Sequence, residues 1–94
     1  MAADDRADKT LLIQNELGLH ARAATKFVQL ASKFPCEINV LKGTNEVNGK
    51  SILSLLTLMA PKGTTISIKA RGERSEEAVA ALAALVDDKF GEGK

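Results

Sequence analysis

The stretch CEINVLKGTNEVN, residues 36–48, decides the fold class of this 94-residue chain. Its first five residues, CEINV, alternate apolar and polar side chains, a period of two that is typical of a strand with one buried face. Lys42-Gly43-Thr44 has the composition of a turn, and Glu46-Val47-Asn48 is predicted to form another short strand. Because each strand has a single apolar face, the sheet needs a covering layer on one side only.

The segments on both sides of this pair of strands alternate between strand and helix patterns. We predict a strand over 10–14, a helix from about 19 to 34, a short helix over 52–58 capped by Ser51, a strand over 66–71, and a last helix capped by Ser75 and ended by Gly91. The order βαββαβα predicts an α+β fold, an open-faced two-layer sandwich whose four-stranded, mainly antiparallel sheet is covered on one side by three helices. We expect residues 9–94 to form one domain and residues 1–8 a flexible N-terminal tail.

The composition excludes several classes of function. Hydrophobic residues make up 45% and charged residues 27%, the balance of a folded globular domain. Lys and Arg number 13 against 12 Asp and Glu, and there is no Trp or Tyr. Since nucleic-acid binding normally needs a basic face or stacking aromatics, we predict no nucleic-acid partner. One His and one Cys exclude a four-ligand Cys/His zinc site within one chain, and we expect neither a metal nor a cofactor.

The N-terminus and the apolar runs bear on the compartment. The first eight residues are acidic, whereas a signal peptide needs a basic start and an apolar stretch. The longest apolar run, Ile52 to Ala60, is interrupted by Ser54 and Thr57 and is too short to span a bilayer. The sequence therefore predicts a cytoplasmic protein without membrane insertion. The lone Cys36 is interpreted as a buried small hydrophobe.

The segment GLHARAAT, residues 18–25, carries the candidate chemistry. It places His20 at the predicted start of a helix, where free backbone N–H groups and the positive end of the helix dipole favour anions. A neutral imidazole there has a free ring nitrogen and can act as a nucleophile, and Arg22 adds a permanently charged fork suited to phosphate oxygens. The alternative is that His20 is a surface residue that only caps the helix. The carboxylates are interpreted as solvated or as partners of helix dipoles.

Two motifs together resemble a known family. GLHAR at 18–22 and VNGKSI at 47–52, with a spacing of 31 residues from His20 to Ser51 and the βαββαβα order, resemble the histidine-containing phosphocarrier (HPr) family of the bacterial phosphoenolpyruvate-dependent phosphotransferase system. The resemblance covers about Leu11 to Phe90. It implies a stoichiometric carrier, not an enzyme, in which His20 accepts a phosphoryl group from phosphorylated enzyme I. His20 would pass the group to an EIIA-type protein in sugar uptake, and Arg22 would pair with the phosphoryl oxygens.

The resemblance has one departure and one further implication. Many family members have proline where this chain has Ala23, which is compatible with a helix start and keeps an N–H that proline lacks. Ser51 matches the serine that a dedicated kinase/phosphorylase modifies in some bacteria. A phosphate at a helix N-cap is tolerated by the dipole, and its charge of about −1.5 to −2 would block docking. The alternative is that Ser51 is an N-cap and nothing more.

The surface around His20 is the expected docking face. Nearly every residue from Ile52 to Met59 is apolar, which suggests an exposed face used for transient contact. The alternative is that this helix is simply well buried. We expect a monomer that docks through the candidate residues Leu17, Thr25, Lys26, Lys50, Ile52, Leu53 and Leu56.

Three rival interpretations stay open. The first is a carrier of the nitrogen-related branch of the phosphotransferase system, which shares the histidine motif and signals instead of moving sugar. The second is a regulatory module that binds partners through the same face without relaying phosphate. The third is a small-molecule-binding α+β domain, which predicts a ligand pocket and no phosphorylation.

Overall fold

The computed structural model describes residues 5–94 and has the predicted order of elements. The elements are β1 (Arg6–Leu12), α1 (Ala21–Ala31), β2 (Glu37–Lys42), β3 (Asn45–Asn48), α2 (Ile52–Thr57), β4 (Thr65–Arg71) and α3 (Ser75–Asp87), followed by a 3₁₀ turn (Lys89–Gly91). None of the helices within 5–94 is long and apolar enough to cross a bilayer.

The four strands form one sheet in the order β1-β4-β2-β3, and every neighbouring pair is antiparallel. β4 lies between β1 and β2, with Ile66 opposite Leu11 of β1 and Ile68 opposite Val40 of β2. These four side chains are buried, so the inner face of the sheet is apolar, as the alternation in sequence predicts. The predicted α+β two-layer fold with a four-stranded antiparallel sheet and three helices is confirmed.

The first strand begins earlier than the sequence indicates. The predicted strand over 10–14 is instead β1, whose residues Arg6 to Thr10 pair with Arg71 to Ser67 of β4. These five residues are polar except Ala7 and belong to a strand at the edge of the sheet, so hydrophobic alternation does not reveal them. Residues 6–8 of the predicted tail therefore lie in β1, while residues 1–4 lie outside the described residues.

The core lies between the inner face of the sheet and the helices. Phe27 of α1 and Leu82 of α3 are fully buried, and Phe90 of the C-terminal turn is buried beside them in the same cluster. α2 contributes less, because Leu55 is its only buried residue and Leu53 is 77% exposed. Cys36 is buried, as predicted.

The end signals of the helices are only partly as predicted. Ser51 caps α2, and its Oγ accepts a hydrogen bond from the Ser54 N–H. Ser75 does not cap α3, which corrects the prediction: Ser75 is the first helical residue, and Arg74 occupies the cap position with a left-handed φ of 66°. The Arg74 guanidinium lies over the Phe34 ring and donates to the Glu77 carboxylate, so tertiary and side-chain contacts support this unusual cap. α3 ends at Asp87, before the turn that contains Gly91.

Candidate functional site

A glycine turn fixes the loop that leads into α1. Gly18 has a left-handed φ of 67°, and a Cβ there would lie 2.5 Å from the Ala60 carbonyl oxygen and 2.7 Å from Pro61 Cα. The next residue, Leu19, is buried and donates its N–H to that same Ala60 oxygen at 2.9 Å. The loop is therefore pinned against the chain that follows α2, and His20 emerges from it at a defined position.

His20 is the N-cap of α1, and each of its two ring nitrogens makes a hydrogen bond. Its Nδ1 accepts a hydrogen bond from the Arg22 backbone N–H at 3.3 Å, as a capping side chain does. Its Nε2 lies 2.5 Å from Glu92 Oε2. An amide N–H only donates and a carboxylate only accepts, so this network assigns the proton to Nε2 and the lone pair to Nδ1, where it accepts the Arg22 N–H. The lone pair faces the N-terminus of α1, and the His20 side chain is 22% exposed.

Glu92 is the residue of this site that sequence reasoning missed. Its carboxylate bridges two partners: Oε1 accepts from Asn15 Nδ2 at 3.0 Å, and Oε2 faces His20. Burial alone would raise the pKa of Glu92, but the hydrogen bonds from Asn15 and His20, with the attraction of His20 and Arg22, hold that pKa below its ordinary value of 4.5. Since 72 residues separate Glu92 from His20, no local spacing in the sequence could have paired them.

Arg22 is exposed in the first turn of α1, beside the Nδ1 lone pair. Its guanidinium has no hydrogen-bond or ion-pair partner among residues 5–94, so its five donors are available to an anion. The N–H groups of Ala21 and Ala23 also lack a backbone acceptor in the described chain, as expected for a helix start. These donors belong to the first turn of the helix that His20 caps.

Ser51 and Lys50 lie at the start of α2. The Ser51 side chain is half-buried as the helix cap, and Lys50 Nζ donates to the Phe34 carbonyl oxygen at 2.7 Å. The Lys50 ammonium is thus already engaged within the chain. The Lys26 ammonium is engaged within the chain as well, because its Nζ donates to the Phe90 carbonyl oxygen at 2.8 Å.

The apolar candidates for docking differ in exposure. Leu17 and Leu53 are 64% and 77% exposed, whereas Ile52 and Leu56 are half-buried against the core. Thr25 is half-buried and donates its hydroxyl to the Ala21 carbonyl oxygen. Met59, which the prediction left out, is 76% exposed and lines a shallow apolar depression with Leu17. Its position after a short helix gave no sign that it would lie there.

The site has the form of a surface patch. In the part of the chain that the structure describes, no group of three or more His, Cys, Asp or Glu side chains could hold a metal ion. A polar depression lies elsewhere, on the open face of the sheet, and is lined by strand residues such as Glu37, Lys69 and Arg71. The arrangement around His20 therefore supports transfer of a small anionic group at the surface, with one nucleophile, one arginine and a helix N-terminus.

Known proteins share this fold and sequence. A family model described as PTS HPr component phosphorylation site matches residues 7–88. The phosphocarrier protein HPr of Neisseria meningitidis serogroup B is 48% identical over 86 residues, which are 92% of this chain and 97% of that protein. The phosphocarrier protein NPr of Shewanella violacea is 42% identical over 87 residues, 93% and 96% of the two chains.

Solved structures agree with these matches. The structure of HPr-C-His from Thermoanaerobacter tengcongensis superposes with a TM-score of 0.88 at 44% identity, covering 92% of this chain and 97% of that one. A structure described as an HPr dimer from the same organism gives a TM-score of 0.74 at 45% identity, covering 87% and 94%. Because the family model spans most of the chain and the relatives match nearly all of it, the chain belongs to the HPr family of phosphocarrier proteins of the phosphotransferase system.

Proposed function

We propose that this chain carries a phosphoryl group on His20, which it accepts from phosphorylated enzyme I and passes to an EIIA-type protein in sugar uptake. The observation that carries the proposal is the orientation of His20: Nδ1 has its lone pair at the N-terminus of α1, while Nε2 is occupied by Glu92. Family membership supports the same reaction.

The transfer step needs no proton to leave the carrier. The Nδ1 lone pair attacks phosphorus, the phosphorus–nitrogen bond of the donor breaks, and its electron pair stays on the donor nitrogen. The Nε2 proton remains in place, so the phosphorylated ring carries a positive charge. The reverse sequence at the acceptor restores the neutral imidazole, and the chain acts as a stoichiometric carrier, not an enzyme.

Arg22 and the helix N-terminus are proposed to hold the phosphoryl oxygens. The Arg22 guanidinium is unpaired within residues 5–94 and sits in the turn that follows the nucleophile. A helix end stabilises an anion by roughly 0.3–2 kcal/mol. That modest stabilisation suits a carrier, because a group bound much more tightly would not be handed on.

Ser51 is proposed as a regulatory phosphorylation site for a serine kinase/phosphorylase. Its hydroxyl caps α2, where the dipole tolerates a phosphate, and the added charge would oppose docking of an acidic or apolar partner surface. The proposed docking face consists of Leu17, Thr25, Lys26, Lys50, Ile52, Leu53 and Leu56. A cytoplasmic location and a monomeric state belong to the same proposal, and a dimer remains an outcome that light scattering would detect.

A second candidate is the nitrogen-related branch of the system. The 42% identity to an NPr protein favours it as the runner-up, since NPr and HPr relatives match this chain to a similar extent. Phosphotransfer to sugar-type and nitrogen-type EIIA acceptors separates the two branches. Faster transfer to a nitrogen-type acceptor would overturn the sugar-uptake assignment.

The direct test uses labelled phosphoenolpyruvate and enzyme I. We expect one acid-labile, base-stable phosphate per chain, absent in His20→Ala. Arg71→Ala, which changes an exposed arginine of β4 instead, serves as the matched control and should label fully. Stoichiometric label in His20→Ala would contradict the assignment of the acceptor.

A further inference from the structure

We propose that Glu92 is a positioning residue for His20: its carboxylate keeps the ring proton on Nε2 and so reserves Nδ1 as the nucleophile. The inference rests on the proposed function of His20 as the phosphoryl acceptor. It adds a residue from the C-terminal segment to a site otherwise built from the start of α1.

Asn15 fixes the orientation of the Glu92 carboxylate. The Asn15 side chain is fully buried and donates both amide hydrogens, to the Gly18 carbonyl oxygen at 2.8 Å and to Glu92 Oε1 at 3.0 Å. Rotating the amide by half a turn would place its oxygen against two acceptors, so this orientation is strongly preferred. Asn15 therefore links the glycine turn to the carboxylate that faces His20.

The C-terminal segment is tied down on both sides of Glu92. Before it, Phe90 is fully buried, and its carbonyl oxygen accepts from Lys26 Nζ at 2.8 Å. After it, the Lys94 carbonyl oxygen accepts from the Glu16 N–H at 3.1 Å. The Glu92 side chain is only 10% exposed, which is unusual for a glutamate in the last turn of a chain. These contacts hold the carboxylate against the imidazole.

The two neighbours of the ring have opposite hydrogen-bonding character. The Arg22 N–H can only donate, which favours a lone pair on Nδ1, and the Glu92 carboxylate can only accept, which favours a proton on Nε2. A carboxylate that holds the proton on one ring nitrogen leaves the other nitrogen for reaction. The aspartate of a catalytic triad fixes the tautomer of its histidine in the same manner. When phosphorylation at Nδ1 makes the ring positive, the same carboxylate offsets that charge without taking the proton.

Glutamine is an informative replacement. The carboxylate has an oxygen for each partner, whereas a glutamine side chain has one oxygen and one amino group. If the amino group faces Asn15, two donors meet. If it faces His20, it favours a lone pair on Nε2 and a proton on Nδ1, which removes the nucleophile. Both Glu92→Gln and Glu92→Ala should therefore disturb the ring.

The first readout is the protonation pattern of His20 in the unphosphorylated protein. The ¹⁵N chemical shifts of the neutral ring distinguish a bare nitrogen from a protonated one. We expect the wild-type ring to be bare at Nδ1 and protonated at Nε2, and we expect Glu92→Ala and Glu92→Gln to gain the other tautomer. Glu37→Gln, which removes an exposed carboxylate on the open face of the sheet, should match the wild type. Amide spectra of each variant report whether the fold is intact.

The second readout is the rate of phosphorylation by enzyme I. We expect about a tenfold lower rate in both Glu92 variants, equivalent to about 1.4 kcal/mol, and no change in Glu37→Gln. If the wild type is not phosphorylated at all, the proposed function fails, while the tautomer measurement still stands by itself. If the wild type is phosphorylated and either the tautomer or the rate of the Glu92 variants equals the wild type, the proposal for Glu92 is overturned.

Discussion

Replacing Gly18 by alanine tests how the loop before α1 is built. Two costs add at this position. A left-handed backbone costs a non-glycine residue roughly 1–2 kcal/mol, and a side chain forced into occupied space costs about 1–3 kcal/mol. The second cost applies because the new Cβ would lie 2.5 Å from the Ala60 carbonyl oxygen and 2.7 Å from Pro61 Cα, which are backbone atoms. We expect Gly18→Ala to lower the free energy of unfolding by about 2–5 kcal/mol.

Gly43 provides a matched control for this prediction. Its φ of 61° is close to the 67° of Gly18, but a Cβ at Gly43 would meet nothing within 4 Å. Gly43→Ala should therefore carry the backbone cost alone, about 1–2 kcal/mol. The assay is urea unfolding followed by far-ultraviolet circular dichroism, since the chain has no Trp or Tyr to report by fluorescence. If the two variants differ by less than about 0.5 kcal/mol, the close approach of the loop to Ala60 is refuted.

Three further predictions follow from the site. Arg22→Ala should fold normally and accept phosphate from enzyme I about tenfold more slowly, because the unpaired guanidinium is lost; an unchanged rate would remove its proposed role. Ser51→Ala should lower the unfolding free energy by about 1 kcal/mol through loss of the α2 cap, and Ser51→Asn should restore most of it; equal stability of the two variants would contradict this. The lowered pKa of Glu92 means that the folded state binds fewer protons there than the unfolded state, so its stabilisation is present above pH 4.5 and lost as the pH falls through the folded value. Urea titrations of wild type and Glu92→Gln should therefore converge at low pH, and a constant difference would be evidence against a lowered pKa of Glu92 in the folded state.

The order of elements was predictable because each element carries its own local signal. The alternation in CEINV, the Ser51 cap and the helical spacing before Pro35 predicted β2, α2 and α1. The bounds of α1 were predicted too wide, since the helix spans Ala21–Ala31 and ends three residues before the predicted end at residue 34. The start of β1 was not predictable, since its polar residues owe their strand conformation to pairing with β4. The cap of α3 was missed for a related reason: Arg74 is an unusual cap residue whose contacts with Phe34 and Glu77 exist only after folding.

For the candidate site too, local sequence predicts some residues and not others. His20 and Arg22 are near neighbours in sequence and lie at a helix start, so local sequence pattern is sufficient to predict their combination. Glu92 contributes from the opposite end of the chain, through the sheet and the C-terminal turn, and its neighbours Gly91 and Gly93 are typical of an unstructured chain end. A carboxylate placed by tertiary contacts over 72 residues has no signature in a single sequence.

The proposed function places the phosphoryl group on Nδ1 of His20. After phosphorylation by enzyme I, ³¹P and ¹⁵N spectra of the ¹⁵N-labelled protein identify the ring nitrogen that is bonded to phosphorus. The network of Arg22, His20 and Glu92 predicts a single phosphohistidine with phosphorus on Nδ1 and the proton on Nε2. Phosphorus bonded to Nε2, or to any residue other than His20, would contradict the account.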